Sequence, residues 1–573
     1  MQSPKLSVSP KSVVLATVAF ILAVRLFTLG FPDLVDTTEG RYAGVAQIML
    51  ERDDWVTPWI HYEGVNQPYL GKPPLHFWLV QTSFLLFGQN NFAARLPGVI
   101  SAFGIGAALW LGAVPVLGAQ ATLVAIAAFA SCCMTFFLSG AVLLDVTLTL
   151  GITIALISLL HVERSKLAGY LIFAGAALGV LTKGPLACIL IGCVAVPWVV
   201  LHRLLTKRWP PHLGKVPWVP GIVLFLALVT PWYIWAEIRN PGFLEYFLWN
   251  ENLGRYFSKD YVDEYGSGHR QPFGAGFLMM LLAVFPWSFL LIGVLIPRAK
   301  QIFSRQTLAT LGTDSTLLFA ICWALSCPVL LLGATQYTAT YLMPSVPGFA
   351  FLIGVLWSRH QATNGVDRAD NVVLSASETT VRKTLIIATA LILFAWMVIS
   401  VISLWFMSSA FTVAASLALA LWVAGSFLLF VRSPRYVGNG RSGQLLGMLV
   451  LLSLVTSLAY GAATLCMNNY LSANRSSRRA LEIARQLTPA GSPLRVGFPF
   501  YFPFSAWFYK PLTLEPQDKV LEVKQGDLAG APADLLIVRK RNMERLRKEL
   551  PNAREIGSVG QWRLIKLEQT LHE

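Results

Sequence analysis

Side chains able to perform acid/base and phosphate chemistry are concentrated in two short stretches just after the first apolar segment. Residues 36–42 are DTTEGRY, and residues 69–74 are YLGKPP. Together they supply carboxylates, a guanidinium, phenols and an ammonium group beside a membrane segment, where charged groups are unfavourable unless they serve an ion or a substrate. We therefore interpret the two stretches as the acid/base and phosphate-binding half of an active site.

Two further charged residues interrupt apolar sequence. Asp145 is the lone acid of a long apolar region, and Lys183 separates two apolar segments in the sequence LTKGP. An isolated carboxylate inside a membrane segment is a site candidate by default. Alternatively, Asp145 has a purely structural, hydrogen-bonded role. Lys183 could equally be a turn residue whose amine lies in water.

Each residue of the first two stretches also has a structural interpretation. Residues 39–50 have helical apolar spacing and predict an interfacial helix, which Asp36, Thr37 or Thr38 would cap. Glu39 and Arg41 would form a surface ion pair. Lys72, before two prolines on a stiff extended segment, is suited to holding a lipid phosphate, but it would also reach the headgroups simply by snorkelling.

The composition predicts a membrane protein. Of 573 residues, 55% are hydrophobic and only 13% are charged, and the mean hydropathy is +0.58, values that a soluble domain cannot bury. The formal net charge of +15 comes from loops and the C-terminal tail, so we attribute it to membrane orientation and anionic lipid rather than to nucleic acid. The seven cysteines lie in apolar segments without paired spacing and predict neither a zinc site nor disulfides.

We expect about thirteen transmembrane helices, the first an uncleaved anchor at residues 11–31. Basic residues recur in every second loop, at 164–166, 203–215, 298–305, 359–383 and 432–441, which assigns those loops to the cytoplasm. The apolar segment 74–87 is too short to span a bilayer. We predict that it does not cross, so that residues 36–72 and Asp145 face outward together.

The chain divides into a transmembrane catalytic domain at residues 1–468, with large outer loops at 33–73 and 237–274, and an outer domain at 469–573. The second outer loop contains ENLGRYF at 251–257 and HRQPF at 269–273. In the outer domain, helical patterns at 478–487 and 542–550 alternate with strand patterns at 494–498, 534–538 and 562–566. The fold class is therefore a polytopic α-helical membrane protein with a small C-terminal α/β domain.

The ordered motifs carry a family resemblance. TEGRYA, DWVTP, YLGKPPLHFW, LLD, LTKGP, ENLGRYF, HRQPF and YLMPSVP resemble bacterial membrane glycosyltransferases of the GT-C type, relatives of protein O-mannosyltransferases and of lipid A aminoarabinose transferase. The resemblance runs over essentially the whole membrane region. It implies transfer of a sugar, with inversion, from an undecaprenyl (polyprenyl) phosphate carrier to an envelope acceptor such as lipid A, on the periplasmic face of the bacterial inner membrane.

The resemblance also implies roles for single residues. Glu39 belongs to the acidic motif of the first loop that activates the acceptor, and Asp145 matches the second acid. Lys72, Arg41, Arg270 and Tyr341 correspond to positions that hold the donor phosphate, and Tyr69 lines the same cavity. Our further candidates for substrate contacts are Tyr42, Lys183, Arg255 and His269, and Asp36 is a second candidate for the acid of the first loop.

The chain departs from the aminoarabinose transferases at three places. Their Asp-Glu pair is Thr38-Glu39 here, so Glu39 or Asp36 must supply the first acid. Their Glu-Lys-Pro is Gly71-Lys72-Pro73, which removes a carboxylate that could join His269 around a metal ion, and a lone histidine is a poor zinc site. Their Lys-Leu-Pro-x-Tyr is YTATY at 337–341. The sequence identifies no cofactor with certainty. Whether a divalent metal ion binds, and which sugar is transferred, stay open.

The expected mechanism is direct displacement at the anomeric carbon. Glu39 or Asp145 takes the proton of the acceptor, while Lys72 and arginines stabilise the departing lipid phosphate. Two alternatives stay open: a protein O-mannosyltransferase, whose acceptor is a peptide, and a transporter or flippase of polyprenyl-linked sugars. Transporters usually show paired hydrophobic halves, and this sequence has no internal repeat.

Overall fold

The molecule consists of a long helical region followed by a small α/β region that begins at Arg478. The computed structural model describes residues 9–62, 64–254, 270–295, 311–334, 336–363, 378–403, 414, 416–421, 423–425, 441–524, 528 and 530–567. The helices of the first region are α1 (Pro10–Thr28), α2 (Thr38–Glu51), α3 (Leu75–Phe87), α4 (Asn91–Leu117), α5 (Ala119–Ser131), α6 (Cys133–Ser139), α7 (Leu144–Leu159), α8 (Lys166–Lys183), α9 (Leu186–Thr206), α10 (Trp218–Arg239), α11 (Ala275–Ala283), α12 (Trp287–Leu295), α13 (Ser315–Leu330), α14 (Val346–Thr363), α15 (Glu378–Ser403) and α16 (Arg441–Arg475).

Apolar helices occupy each of the positions where the sequence predicts a membrane span. Among the described residues, nine helices are long and apolar enough to cross a bilayer, and the bent pairs α5–α6 and α11–α12 would raise that number to eleven. Shorter apolar helices lie at Leu144–Leu159 and Ser416–Gly425, also at predicted positions. The chain is thus a multi-pass membrane protein, as predicted.

Small residues allow the helices of this region to approach closely. A side chain on Gly151 of α7 would place its Cβ 2.6 Å from the carbonyl oxygen of Gly175 on α8, and a Cβ on Gly175 would meet Gly151 in the same way. Without a hydrophobic driving force between helices in lipid, such close backbone packing is a main source of association. This contact fixes α8, which ends at Lys183, against α7, which begins beside Asp145.

The first large loop, between α1 and α3, folds into a compact layer of its own. It contains α2 and a two-stranded antiparallel sheet of β1 (Trp59–Tyr62) and β2 (Val65–Pro68), and it leads into α3. The helix predicted at residues 39–50 is present, but it is buried on most sides rather than lying on a surface. The α3 helix has 13 residues, fewer than the roughly 20 that a span requires.

The C-terminal domain is the small α/β domain that the sequence predicts. Its elements are α17 (Arg478–Gln486), β3 (Arg495–Pro499), α18 (Phe504–Thr513), β4 (Lys519–Val523), β5 (Leu535–Arg539), α19 (Met543–Glu549), β6 (Arg554–Val559) and β7 (Trp562–Lys566). The five strands form one sheet in the order β4-β3-β5-β7-β6. β3 pairs in parallel with β4 and β5, whereas β7 pairs antiparallel with β5 and β6.

The C-terminal domain docks on the first large loop through α18. His61 of β1 stacks on Trp507, with ring centroids 3.9 Å apart. The phenol of Tyr509 donates to the Asn91 side chain at 2.6 Å and accepts the backbone N–H of Leu34 at 2.7 Å. These contacts hold the loop that carries residues 36–42 between the membrane helices and the sheet.

Candidate active site

The acidic sites of the first loop and of α7 lie at the same end of the helical region. The backbone N–H of Val142, three residues before Asp145, donates a hydrogen bond of 3.1 Å to Oε1 of Glu39. The imidazole of His76 on α3 is 3.1 Å from the hydroxyl of Thr147, two residues after Asp145. The loop, α3 and the start of α7 therefore enclose one region, as expected if segment 74–87 does not separate them.

Asp145 and Lys183 form the centre of this region. The Lys183 ammonium donates to Oδ1 of Asp145 at 2.8 Å, and both side chains are almost completely buried. The same ammonium lies 4.4 Å from the ring centroid of Tyr341, and Tyr42 is close enough to interact with it electrostatically. The structure thus brings together four sequence-predicted residues from α2, α7, α8 and the turn before α14.

Lys72 forms a second ammonium–carboxylate pair in the same region. Its Nζ contacts the carboxylate of Glu251 and donates to the carbonyl of Gly71 at 2.7 Å. Glu251 belongs to the wide helical turn Tyr246–Gly254. That turn packs on the end of α8, because a Cβ on Gly184 would lie 2.6 Å from the Phe247 ring. Gly184 also has a φ of +79°. Glycine is therefore favoured at this position both by the backbone conformation and by the lack of space for a Cβ.

The phenols of the first loop line the same interior. Tyr42 and Tyr69 are both buried, and both pack edge-on against Phe77 of α3, with ring centroids 5.7 Å and 6.2 Å away respectively. The Tyr69 ring also covers Gly71, since a Cβ there would lie 3.4 Å from the phenol. Both tyrosines are therefore held rigidly beside the two ammonium–carboxylate pairs.

Glu39 is enclosed by a guanidinium and backbone donors. Nε and Nη2 of Arg95 on α4 donate to its two carboxylate oxygens at 3.0 Å each, and Val35 N–H donates to Oε2 at 3.0 Å. Burial opposes ionisation, but Arg95 and these hydrogen bonds together hold the pKa of Glu39 below its usual value. The expected surface ion pair with Arg41 is wrong, because the cation that Glu39 contacts comes from the membrane helix α4.

Asp36 serves the docking of the C-terminal domain. Its carboxylate accepts the backbone N–H of Ser505 at 2.8 Å and the Ser505 hydroxyl at 2.5 Å. Burial raises the pKa of Asp36 to about 6, although the Ser505 hydrogen bonds oppose the increase. The expected capping of α2 is wrong for all three candidates, because Thr37 occupies the N-cap without a side-chain hydrogen bond and Asp36 faces Ser505 instead.

The remaining candidates are placed less centrally. The Arg41 guanidinium lies over the rings of Tyr42 and Phe504, 5.2 Å and 5.8 Å from their centroids. Arg270 is exposed and pairs through its backbone with Gln336, next to the segment that leads to Tyr341. Arg255 and His269 lie outside the described residues.

The described residues offer few ligands for a metal ion. Within the described ranges, no group of three or more His, Cys, Asp or Glu side chains could hold one. All seven cysteines are free thiols, and four of them are buried.

Among the described residues, Arg95 and Glu251 are charged side chains of this region that the sequence-based candidates do not include. Arg95 carried a usable signal, because a lone arginine in an apolar helix needs a buried anion. Glu251 stands in the quoted motif ENLGRYF, but only the fold shows that Lys72 contacts it, 179 residues away in sequence.

Comparisons with known proteins agree with the motif resemblance. A family model described as dolichyl-phosphate-mannose-protein mannosyltransferase matches residues 71–235. The chain is 28% identical over 342 residues to an undecaprenyl phosphate-α-4-amino-4-deoxy-L-arabinose arabinosyl transferase of Aeromonas salmonicida. It is 27% identical over 351 residues to the enzyme of the same name from Pseudomonas aeruginosa. The matched part covers 58% of this chain and 58% of the Aeromonas relative, and 59% and 58% in the Pseudomonas comparison.

The solved structures match over almost the whole chain. ArnT from Cupriavidus metallidurans bound to undecaprenyl phosphate superposes with a TM-score of 0.70 at 21% identity, covering 97% of this chain and 98% of ArnT. The apo form of that protein gives a TM-score of 0.69 at 20% identity, covering 96% of this chain and 97% of that one. The predicted resemblance to GT-C glycosyltransferases is therefore confirmed, and so is the GT-C fold with its small C-terminal domain.

Proposed function

We propose that the protein is an inverting glycosyltransferase that moves a sugar from an undecaprenyl phosphate carrier to lipid A or another envelope acceptor. The observation that carries this proposal is the convergence of Asp145, Lys183, Tyr341 and Tyr42 beside the Lys72 pair. A carboxylate for proton transfer and ammonium groups for a phosphate are the groups that such a displacement needs. The fold shared with a protein that binds undecaprenyl phosphate supports this donor.

The proposed chemical step is a single displacement. The acceptor oxygen forms a bond to the anomeric carbon as the bond from that carbon to the carrier phosphate breaks. The bonding electron pair leaves with the phosphate, and the acceptor proton goes to a carboxylate. Asp145 is our choice for this base, because Glu39 accepts four hydrogen bonds from Arg95 and two backbone N–H groups.

Lys183 and Lys72 have separate tasks in this mechanism. Lys183 orients Asp145 through their 2.8 Å contact. Lys72, with exposed Arg270 as a second cation, holds the departing phosphate and stabilises the charge that develops on it. A phosphate so held is a fair leaving group, so a cationic site is sufficient for the displacement.

The proposed location is the periplasmic side of the bacterial inner membrane, with the C-terminal domain in the periplasm. The support for it is the recurrence of basic residues in alternate loops. The candidate site lies on the opposite side from those loops in the predicted topology. The partition into a catalytic region up to residue 468 and a periplasmic domain from 469 belongs to the same proposal.

A peptide acceptor is the second candidate. The family model that matches residues 71–235 is described by transfer of mannose to protein. The basic residues of the C-terminal domain fit an anionic acceptor better, but a solvated surface also explains them.

Mass spectrometry of the envelope tests the proposal. Lipid A and envelope proteins are compared from cells with the gene deleted, restored, restored as Asp145→Asn, or restored as Glu245→Gln at equal protein levels. Glu245 is an exposed acid of the second outer loop and serves as the matched control. We expect one sugar modification to disappear on deletion, to stay absent with Asp145→Asn and to return with Glu245→Gln.

The other outcomes decide among the alternatives. Loss of the sugar from envelope proteins instead of lipid A would favour the peptide acceptor. Full restoration by Asp145→Asn would refute Asp145 as the base. An unchanged set of glycan structures, with a carrier-linked sugar accumulating on the cytoplasmic side after deletion, would favour the transporter.

A further inference from the structure

Both ammonium groups of the candidate site have carboxylate partners. Lys183 contacts Asp145, and Lys72 contacts Glu251. All four side chains are at most 13% exposed, so their charges are poorly screened by water. A lipid phosphate that enters this region meets two ammonium groups that already have carboxylate partners. It must therefore compete with a carboxylate for either ammonium group.

The Lys183–Asp145 pair is carried by two closely packed helices. Asp145 and Lys183 are carried by α7 and α8, whose backbones touch at Gly151 and Gly175. The Lys183 ammonium also faces the ring of Tyr341. A phosphate that displaced Asp145 would have to separate two rigid helices or rotate a carboxylate that the packing encloses.

The Lys72 pair joins two segments that lie outside the long membrane helices. Lys72 lies in the irregular stretch between β2 and α3, and Glu251 lies in the wide helical turn at 246–254. Wide helical turns of this kind are rare and often occur at functional sites. Separating Glu251 from Lys72 does not require α7 and α8, which carry the other pair, to move apart.

We propose that, in the empty protein, the Glu251 carboxylate occupies the position on Lys72 that the donor phosphate takes when it binds. The phosphate then replaces the carboxylate. This inference rests on the proposed function, because it takes an undecaprenyl phosphate donor as given. Glu251 is then a positioning residue. It compensates the buried ammonium in the empty protein and sets the affinity for the carrier, but it touches neither reacting atom.

The exchange predicts opposite effects of Glu251→Gln on the empty and the loaded protein. Without Glu251 the Lys72 ammonium is buried without its carboxylate, and breaking such a pair destabilises a protein strongly. The phosphate in turn no longer competes with a carboxylate. We expect the empty variant to unfold at a lower temperature and to bind undecaprenyl phosphate about 10-fold more tightly, equivalent to about 1.4 kcal/mol.

The test is a titration of purified full-length protein in nanodiscs with undecaprenyl phosphate, followed by thermal unfolding. The variants are Glu251→Gln, Glu251→Asp and the matched control Glu245→Gln. We expect Glu251→Asp, which keeps the charge, to stay within about threefold of the unsubstituted protein, and Glu245→Gln to leave both quantities unchanged. Equal or weaker binding by a folded Glu251→Gln would overturn the exchange, since a purely structural carboxylate predicts that result.

A second measurement uses the unsubstituted protein and does not depend on a variant that folds. Carbodiimide and glycine amide label carboxylates, and mass spectrometry gives the extent of labelling at Glu251. We expect labelling to rise when undecaprenyl phosphate is added, because the Lys72 partner is withdrawn, and to respond less to inorganic phosphate, which lacks the chain that anchors it. Unchanged or lower labelling at saturating carrier would refute the exchange. No binding of undecaprenyl phosphate at all would instead refute the proposed function.

Discussion

At the scale of single residues, the acids of the first loop have different surroundings from Asp145. Glu39 is fixed by Arg95, and Asp36 is fixed by Ser505. Asp145 instead has an ammonium partner within a region lined by phenols. The types of these residues could be recognised from the sequence, but their partners could not, because the contacts of Glu39 and Asp36 span 56 and 469 residues of chain.

Glu39→Gln is expected to reduce stability more than chemistry. The substitution leaves the Arg95 guanidinium buried without its carboxylate, and losing one partner of such a pair costs about 3–5 kcal/mol. Thermal unfolding of purified protein measures the loss, with Glu51→Gln at the exposed end of α2 as the control. In an Arg95→Gln background, Glu39→Gln should have a much smaller effect.

The same pair of variants separates structure from catalysis. Transfer is compared per folded molecule, because Asp145→Asn also leaves a buried ammonium group without its carboxylate. Folded Glu39→Gln should keep measurable transfer, whereas folded Asp145→Asn should show none. A stable but inactive Glu39→Gln would reverse the assignment and make Glu39 the base.

At the scale of elements, segments with regular apolar periodicity could be predicted. Segments interrupted by a proline or a bulge could not. The α2 helix and the strands β3, β5 and β7 were expected within a residue or two of their observed bounds. The α18 helix was missed, because it begins after Pro503 and contains Pro511, which ordinarily indicates a break. The β6 strand was missed because a bulge at Glu555 and Gly557 interrupts its alternation.

The contact between α18 and the first loop should depend on pH. Burial raises the pKa of Asp36 to about 6, from 3.8 in an exposed carboxyl. The folded protein therefore holds this proton more tightly than the unfolded chain does. The contribution is fully present below about pH 4 and is lost as the pH rises through 6, which amounts to about 3 kcal/mol at neutral pH.

Thermal unfolding between pH 5 and 7.5 tests this expectation. The difference in unfolding temperature, Asp36→Asn minus the unsubstituted protein, should rise with pH. The reason is that the buried Asp36 carboxyl ionises at higher pH, whereas the asparagine that replaces it does not. Asp53→Asn, an exposed acid of the same loop, should give a constant difference. Parallel curves for Asp36→Asn would mean that Asp36 titrates as an exposed group.

At the scale of the whole molecule, the fold class followed from composition and from the order of the motifs. Apolar length identifies membrane spans directly, because every backbone polar group in a bilayer must be satisfied within a helix. Bends were not predictable in this way. The α5–α6 and α11–α12 pairs turn by 63° and 116°, and each bend was hidden inside one apolar stretch.

The proposed function requires the protein to transfer a sugar and not merely to move its carrier. The most direct measurement uses purified protein in nanodiscs with undecaprenyl phosphate-linked aminoarabinose, in the presence and absence of lipid A. Mass spectrometry follows both the carrier and the acceptor. A hexose-linked carrier is run in parallel, because the chain departs from the aminoarabinose transferases at Thr38, Gly71 and residues 337–341.

For a transferase we expect free undecaprenyl phosphate and sugar-bearing lipid A to appear together in equal amounts, only when lipid A is present, and we expect Asp145→Asn to abolish both. A sugar that stays on its carrier under every acceptor condition, while the intact carrier-linked sugar crosses the bilayer of sealed vesicles containing the protein, would show that the protein is a transporter instead.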